Sequence, residues 1–498
     1  MKKYTVPLLL NLLLAATASG ETVGMNLSLK EAVRLSLERN LDLRVELYNP
    51  AQAEADIRKN RSIYEPRLKL DTSYLEEYGF ALNATPQRDY NQSTLHITPG
   101  LSQLLPTGGT LALNYQNVRQ TNSTTAAPAI GTFWNSSLGL TLNQPLLKNF
   151  GRDATELNIK VSEISKETSL HHLKSTILAT VAQVRTEYFK LVSFQEDLDS
   201  RKSSLELARK ILSDTDARVK AGVLPAMEIL NAQYGVSLRQ KELIDAEKAV
   251  SDQIDVLAQL LQLGNITAII PSDKPDRAEV AINEADALKS ALSLRPEFDE
   301  LNGQLKSFEL LSAVARKQTL PSLNLVSTVA LTGIDKNYGR NTERLGSLDY
   351  PAWSVGLQFD YPLGNQSAEN DYIKSRLKVD QAAVQIDTLK SSIENEVKLA
   401  IRGVSSSYKQ LDVADRARLY ADERVKAYLK KSEVGLATTK DLLDVENDLA
   451  TARSNQIKAE VQYATSVNLY WKSTGELLQR EGIHIDSAKS DALYKEVK

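Results

Sequence analysis

The chain contains no cysteine, which excludes structural disulfides, thiolate metal sites, a cysteine nucleophile and a lipid-bearing cysteine near the N-terminus. Histidine is almost as scarce, with four residues at 96, 171, 172 and 484. None stands in a His-Glu-x-x-His pattern. His171 and His172 are adjacent and point to different sides of a helix, so no metal site is expected. Gly108-Gly109 reads as a turn, because no phosphate-loop lysine follows it, and no Gly-x-Ser-x-Gly elbow occurs. The chain therefore reads as non-enzymatic, without catalytic residues or cofactor. An excess of one charge is also missing. Lys and Arg number 60 against 63 Asp and Glu, a net charge of −3, so no basic field points to nucleic acid. Beyond the first residues no apolar run is long enough for a transmembrane helix. A membrane span built from this chain would have to use strands.

The N-terminus has the marks of an export signal over residues 1–20. Lys2 and Lys3 give a positive start, Val6 to Leu14 is mostly apolar, and Ala18-Ser19-Gly20 supplies small residues before a cut at Glu21. The apolar run is too short to anchor the chain across a bilayer, which takes about 20 residues.

The rest reads as two related halves. Pro66 and Pro321 each follow a helical segment and open an alternating run, at an offset of 255. Leu138-Gly139-Leu140-Thr141-Leu142-Asn143-Gln144-Pro145-Leu146 matches Val355-Gly356-Leu357-Gln358-Phe359-Asp360-Tyr361-Pro362-Leu363 at an offset of 217, which leaves 38 more residues in the first half between these landmarks. Gly222 and Gly435, offset by 213, each break a long helical run. The expected organisation is a first repeat over 21–263 (helix 28–62, strands 66–145, long helical hairpin 153–263) and a linker over 264–284. A second repeat follows over 285–477 (helix 285–318, strands 321–362, long helical hairpin 366–477), with a tail over 478–498.

Ile177, Val184, Leu191, Leu198, Leu205, Leu212 and Val219 recur every seven residues, as do Ile229, Val236, Leu243, Val250 and Leu257 on the returning arm. A strict heptad keeps one seam on a neighbouring helix through left-handed supercoiling. The companion position turns polar at Gln195, Lys202 and Arg209, which suits helices side by side in a wall with water on one face. Pro50 is expected to kink the N-terminal helix.

Alternation is clear in Leu68/Leu70, Leu95/Ile97, Leu111/Leu113/Tyr115, Leu138/Leu140/Leu142, Leu323/Leu325 and Val355/Leu357/Phe359/Tyr361. Period two puts one side on an apolar medium and the other in water, as in a membrane barrel. The 38 additional residues carry an extra hairpin turning at Pro106-Thr107-Gly108-Gly109. Four strands in the first half and two in the second are too few to seal a barrel in one chain. Three copies would give eighteen strands, or twelve with the extra hairpin outside the wall.

These features together resemble the TolC-like outer-membrane efflux protein family (outer-membrane factors) over nearly the whole mature chain. The most specific piece is Val434-Gly435-Leu436-Ala437-Thr438-Thr439-Lys440-Asp441-Leu442-Leu443-Asp444. It looks like the family's helix-tip segment, in which a Val-Gly-Leu turn docks on an adaptor. The matching first-half tip is Ala221-Gly222-Val223-Leu224-Pro225. The resemblance implies a mostly α fold with a β-barrel portion, a duplicated strand and helical-hairpin unit. It also implies a homotrimer whose barrel contacts outer-membrane lipid in a Gram-negative bacterium and continues as a periplasmic α-helical barrel. A periplasmic membrane-fusion adaptor and an inner-membrane transporter would complete an efflux or type I secretion conduit, with no nucleic acid involved. It further implies adaptor docking at Val434, Gly435, Leu436, Ala437, Thr438, Gly222, Val223 and Leu224. Asp441 and Asp444, with Glu228 in the first half, would ring the periplasmic aperture. Lys430, Lys431 and Lys440 are near enough in sequence to pair with these acids. The competing expectation is an adhesive or structural envelope coiled coil without transport.

Overall fold

The computed structural model describes residues 24–81, 88–124, 131–264, 268–485 and 488–497. The export signal expected over 1–20 lies outside the described residues. The described residues begin with β1 (Gly24–Leu27), α1 (Leu29–Arg39) and α2 (Leu41–Arg61), then β2 (Arg67–Ala81), β3 (Arg88–Leu104), β4 (Thr110–Thr124) and β5 (Gly131–Pro145). The short α3 (Arg152–Thr155) leads into α4 (Leu157–Lys220) and α5 (Met227–Leu261), followed by β6 (Ala268–Pro271). The second half runs α6 (Glu284–Leu294), α7 (Pro296–Gln318), β7 (Ser322–Asp335), α8 (Tyr338–Gly346), β8 (Pro351–Asp360), α9 (Gln366–Glu433) and α10 (Thr439–Thr474). Two short helices end it, α11 (Leu477–Arg480) and α12 (Ala488–Val497). At about 1.5 Å per residue, α4 and α9 each hold about 100 Å of helix.

Several elements differ from the sequence expectation. The N-terminal helix breaks at Asn40, whose backbone turns extended (ψ 127°). Pro50, the expected kink, lies within the continuous α2. The Asn40 side chain makes the break cheap. Its Oδ1 accepts from Leu43 N at 3.1 Å as an N-cap, and its Nδ2 donates to Leu260 O at 3.1 Å. The expected linker holds β6, which pairs in parallel with β1. A helix, α8, interrupts the second strand region. The tail contains α12, held where Lys166 on α4 bridges Glu54 on α2 (3.0 Å) and Asp491 (2.8 Å).

The chain divides into two compact units. One, comprising Val45–Ser175, Arg295–Ser392 and Ile485–Lys498, contains an antiparallel sheet in the order β2-β3-β4-β5-β7-β8. The extra hairpin is thus part of the sheet itself. One row of its register reads Leu68, Leu101, Leu113, Leu140, Val329, Trp353 across all six strands. The next row, on the opposite face, reads Lys69, Gly100, Asn114, Gly139, Ala330, Ala352. The apolar face is largely bare, with Leu68 83% and Trp353 77% exposed. Only toward the loop end is it covered, where α8 rests on β5 and β7. There Asn341 Nδ2 donates to the buried Ser136 Oγ at 2.6 Å, and Tyr338 tilts against Trp134 with ring centroids 4.9 Å apart. A Cβ on Gly333 would lie 2.5 Å from Asn341 O, so glycine lets the helix sit this close. Among the described residues, the outer edges of β2 and β8 have no strand partner.

The other unit comprises Met1–Arg44, Thr176–Leu294 and Ile393–His484. Here α4 is gripped by the β1/β6 pair. Tyr188, fully buried, donates its hydroxyl to Leu27 O at 2.9 Å and accepts from Asp273 N at 3.1 Å. Gln195 Nε2 donates to Ile269 O at 2.7 Å. Of the polar residues that interrupt the heptad, Gln195 thus seats the small sheet, while Lys202 and Arg209 are exposed. Of the expected seam, Val184, Leu191 and Leu205 are buried, while Ile177, Leu198, Leu212 and Val219 are half-buried. On α5 the expected seam is mostly half-buried as well. Leu257 of that seam is fully buried, and a second heptad line of small and polar residues, Ala232, Arg239, Ala246 and Gln253, is buried beside it. On α9 the buried line Val397, Val404, Leu411 and Val425, with exposed Arg418 in the same heptad register, has an exposed apolar counterpart two positions on, at Leu399, Val413 and Tyr420. Two residues turn a helix by about 200°, so α9 carries apolar seams on opposite sides.

Candidate functional site at the helix tips

Both hairpin turns use the same local chemistry. At the first, Gly222 N donates to Val219 O at 2.9 Å and Val223 N to Arg218 O at 2.9 Å; at the second, Gly435 N donates to Ser432 O at 3.1 Å and Leu436 N to Lys431 O at 2.9 Å. Each is a helix C-terminus closed by a left-handed glycine, φ 76° at Gly222 and 77° at Gly435. In such turns the apolar residue after the glycine usually folds back on the helix. Here it faces outward, with Val223 69% and Leu436 78% exposed, and Val434 beside it 69% exposed.

The two turns differ in how the next helix starts. Thr438 opens α10 with a full capping box: Asp441 N donates to Thr438 Oγ1 at 3.1 Å, and Asp441 Oδ2 accepts from Thr438 N at 2.9 Å. Ala226 opens α5 without a side-chain cap. Between the turns lies a cleft of about 630 Å³, lined among others by Leu207, Ile211, Leu224, Val434, Ala437 and Leu442. Arg218 crosses it, donating from Nη1 to Ser432 O. Its base is an apolar cluster of Ile211, Ala421, Val425, Leu442, Val445 and Leu449.

The acids singled out from sequence have three different environments. Asp441 is exposed and engaged in the cap, and the hydrogen bond from Thr438 N–H, followed by that from its hydroxyl, holds its carboxyl below the usual carboxylate range. Asp444 is exposed one turn on. Glu228 is half-buried, with Oε2 lacking a hydrogen-bond partner among the described residues. Lys431 lies over the Tyr428 ring, 4.9 Å from its centroid, instead of pairing with a tip acid.

Sequence reasoning missed a charge network above the cleft. Arg239 on α5 bonds Glu446 on α10, Nη2 to Oε2 at 2.7 Å, and both side chains are buried. Burial raises the Glu446 carboxyl above its ordinary value, against the pull of Arg239. Arg239 also pairs with Glu242 at 2.9 Å, and Glu242 with Arg201 of α4 at 2.9 Å. The available signal was Arg239 in register with Ala232, Ala246 and Gln253, where an apolar residue would be expected.

A duplicated chain with an apolar-faced sheet and paired helical hairpins defines the class of outer-membrane channels. Residues 110–262 and 287–475 match the outer membrane efflux protein family, and the chain belongs to that family. It is 22% identical over 389 residues to the outer membrane efflux protein BepC of Brucella suis biovar 1 (strain 1330), covering 74% of this chain and 79% of that protein. Its fold is similar to the CmeC outer membrane channel of Campylobacter jejuni, with a TM-score of 0.66 at 17% identity over 94% of this chain and 89% of that one. It is also similar to the outer membrane protein VceC of Vibrio cholerae, with a TM-score of 0.64 at 13% identity over 90% and 96%. The mostly α fold with a strand portion, and the family expected from the tip segment, both stand.

Proposed function

We propose that three copies of this chain close into an eighteen-stranded barrel in the outer membrane of a Gram-negative bacterium, continued by a periplasmic α-helical barrel. It serves as the passive export duct of a tripartite efflux or type I secretion system. One observation carries this reading: a six-stranded sheet, apolar on one face and small or polar on the other, with long strands bare at both edges. Unpaired edges of 15 and 10 residues are an aggregation hazard unless another chain covers them. In lipid they must be covered, because no water is there to satisfy them. The second apolar seam on α9 supports the same conclusion for the helices.

Within this reading the tips are the gate. Val223, Leu224, Val434, Gly435, Leu436, Ala437 and Thr438, with Gly222 at the first turn, form the surface for a periplasmic adaptor, and an inner-membrane transporter supplies cargo and energy. Asp444 and Asp441, with Glu228, place carboxylates at the aperture, and a ring of carboxylates favours cations. The test is a planar-bilayer recording on detergent-extracted protein, together with chemical cross-linking. Stepwise conductance and a cross-linked species of three copies are expected. A monomer without conductance would overturn the proposal.

A further inference from the structure

We infer that Arg239 and Glu446 are positioning residues that latch the second hairpin against the first and so set the resting closure of the tips. The inference rests on the reading of the tips as the gate. Arg239 is 3% and Glu446 2% exposed; Nε donates to Oε2 at 2.8 Å, and Nη2 stands 2.7 Å from the same oxygen in the ion pair. Arg239 Nη2 also donates to Asn447 Oδ1 at 3.1 Å, and Nη1 reaches Glu242 at 2.9 Å. Arg201 on α4 closes the far side of Glu242 and itself meets Asp197 at 3.4 Å. Alternating charges thus tie α4, α5 and α10 together. One turn nearer the tip the same two helices are keyed sterically, because Leu443 fills the space beside Gly235. The exposed aperture acids Asp441 and Asp444 lie five and two residues before Glu446 on α10, so whatever seats Glu446 seats them.

The choice of charges over an apolar pair has physical content. A buried ion pair adds little stability beyond what packed apolar side chains would give, because desolvation offsets the attraction. It differs in two ways. The planar guanidinium is satisfied only at one separation and one helix register. When the helices part, both groups hydrate, whereas a parted apolar seam exposes surface that drives it shut again. The pair therefore specifies the closed position while tolerating the open one.

The chain lacks cysteine, so Lys220→Cys with Lys440→Cys allows spin labels on the two tips alone. Distances between them are measured by pulsed electron resonance in the full-length detergent-extracted protein, alongside bilayer recordings. Glu446→Ala removes the α10 carboxylate from Arg239, which keeps Glu242 on its own helix and the neutral Asn447 amide. It is expected to widen the tip distances and raise open probability about tenfold or more. Arg239→Met with Glu446→Leu should keep the short distance and lower open probability below that of the unmodified protein. Tip distances unchanged by Glu446→Ala, or an apolar pair as wide as the single variant, would overturn the latch. An absence of conductance from the unmodified protein would instead count against the duct, since the distance measurement stands by itself.

Discussion

Leu443 on α10 occupies the space that a side chain at Gly235 on α5 would need: a Cβ built there would lie 2.8 Å from Leu443 Cδ2. Gly235→Ala must therefore shift the Leu443 methyls, and the overpacking cost of up to about 1–3 kcal/mol is set against a helix-propensity gain of about 1 kcal/mol. Leu443→Ala in the same chain should recover part of that loss by vacating the space. Thermal melting of the detergent-solubilised protein tests both. A melting temperature raised by Gly235→Ala would show that Leu443 rearranges without strain and that the two helices are not keyed here.

Tyr188→Phe should loosen β1 and β6 from α4. The hydroxyl lost serves Leu27 O and Asp273 N in a buried setting. Leu27 O keeps Ser272 N as a donor at 3.0 Å, so Asp273 N is the group that loses its acceptor, at a cost of about 1–3 kcal/mol. Hydrogen exchange should quicken in residues 24–27 and 268–271 while the tips stay as they were. Equal exchange in both proteins would show that apolar packing alone seats the strands.

The two sheet faces should respond differently to charge. Leu357 lies on the apolar face and Gln358 on the other. Leu357→Arg is expected to cost about 2–4 kcal/mol if it falls near the bilayer midplane, and so to reduce recovery in outer-membrane fractions. Gln358→Arg should be tolerated there. Equal tolerance at both positions would argue against lipid on the apolar face.

The Thr438 cap gives the start of α10 a defined pH response. Asp441 titrates below an ordinary carboxylate because its charged form accepts from the Thr438 backbone and hydroxyl. A lowered value means that this stabilisation is complete above the unfolded-state pKa, about 3.9 for Asp, and is lost as pH falls through the lower folded value. Amide exchange in the first turn of α10 should therefore resist mild acid. Thr438→Ala should cost about 1 kcal/mol at neutral pH and shift the acid onset upward. An onset identical in both proteins would mean that the cap does not hold in solution.

Of the two acids on α10 proposed for the aperture, Asp444 has no hydrogen bond or ion pair among the described residues, whereas Asp441 is occupied by the cap. Asp444→Asn should thus lower cation preference in bilayer recordings without altering α10. Reversal potentials equal to those of the unmodified channel would remove Asp444 from the aperture.

Much of this architecture was legible in advance because it rests on local rules. Alternation located the six main strands, and the glycines at 222 and 435 located both turns, since a left-handed residue is needed to end a long helix sharply. What stayed hidden depended on neighbours far away in sequence. The break at Asn40 needs Leu260 O as a partner, and α8 needs Gly333 and Ser136 beneath it. The seam of Ala232, Arg239, Ala246 and Gln253 could not be told from a solvated face while its partners on α4 and α10 were unknown.

The sequence by itself determined the duplication, the strand and helix periods and the glycine-closed tips, because each follows from spacing along one chain. Only the tertiary structure decided that the extra hairpin belongs to the sheet, that Gln195 and Tyr188 seat a small second sheet, and that Arg239 meets Glu446. Those outcomes depend on which groups leave water together, and burial is a property of neighbours, not of spacing.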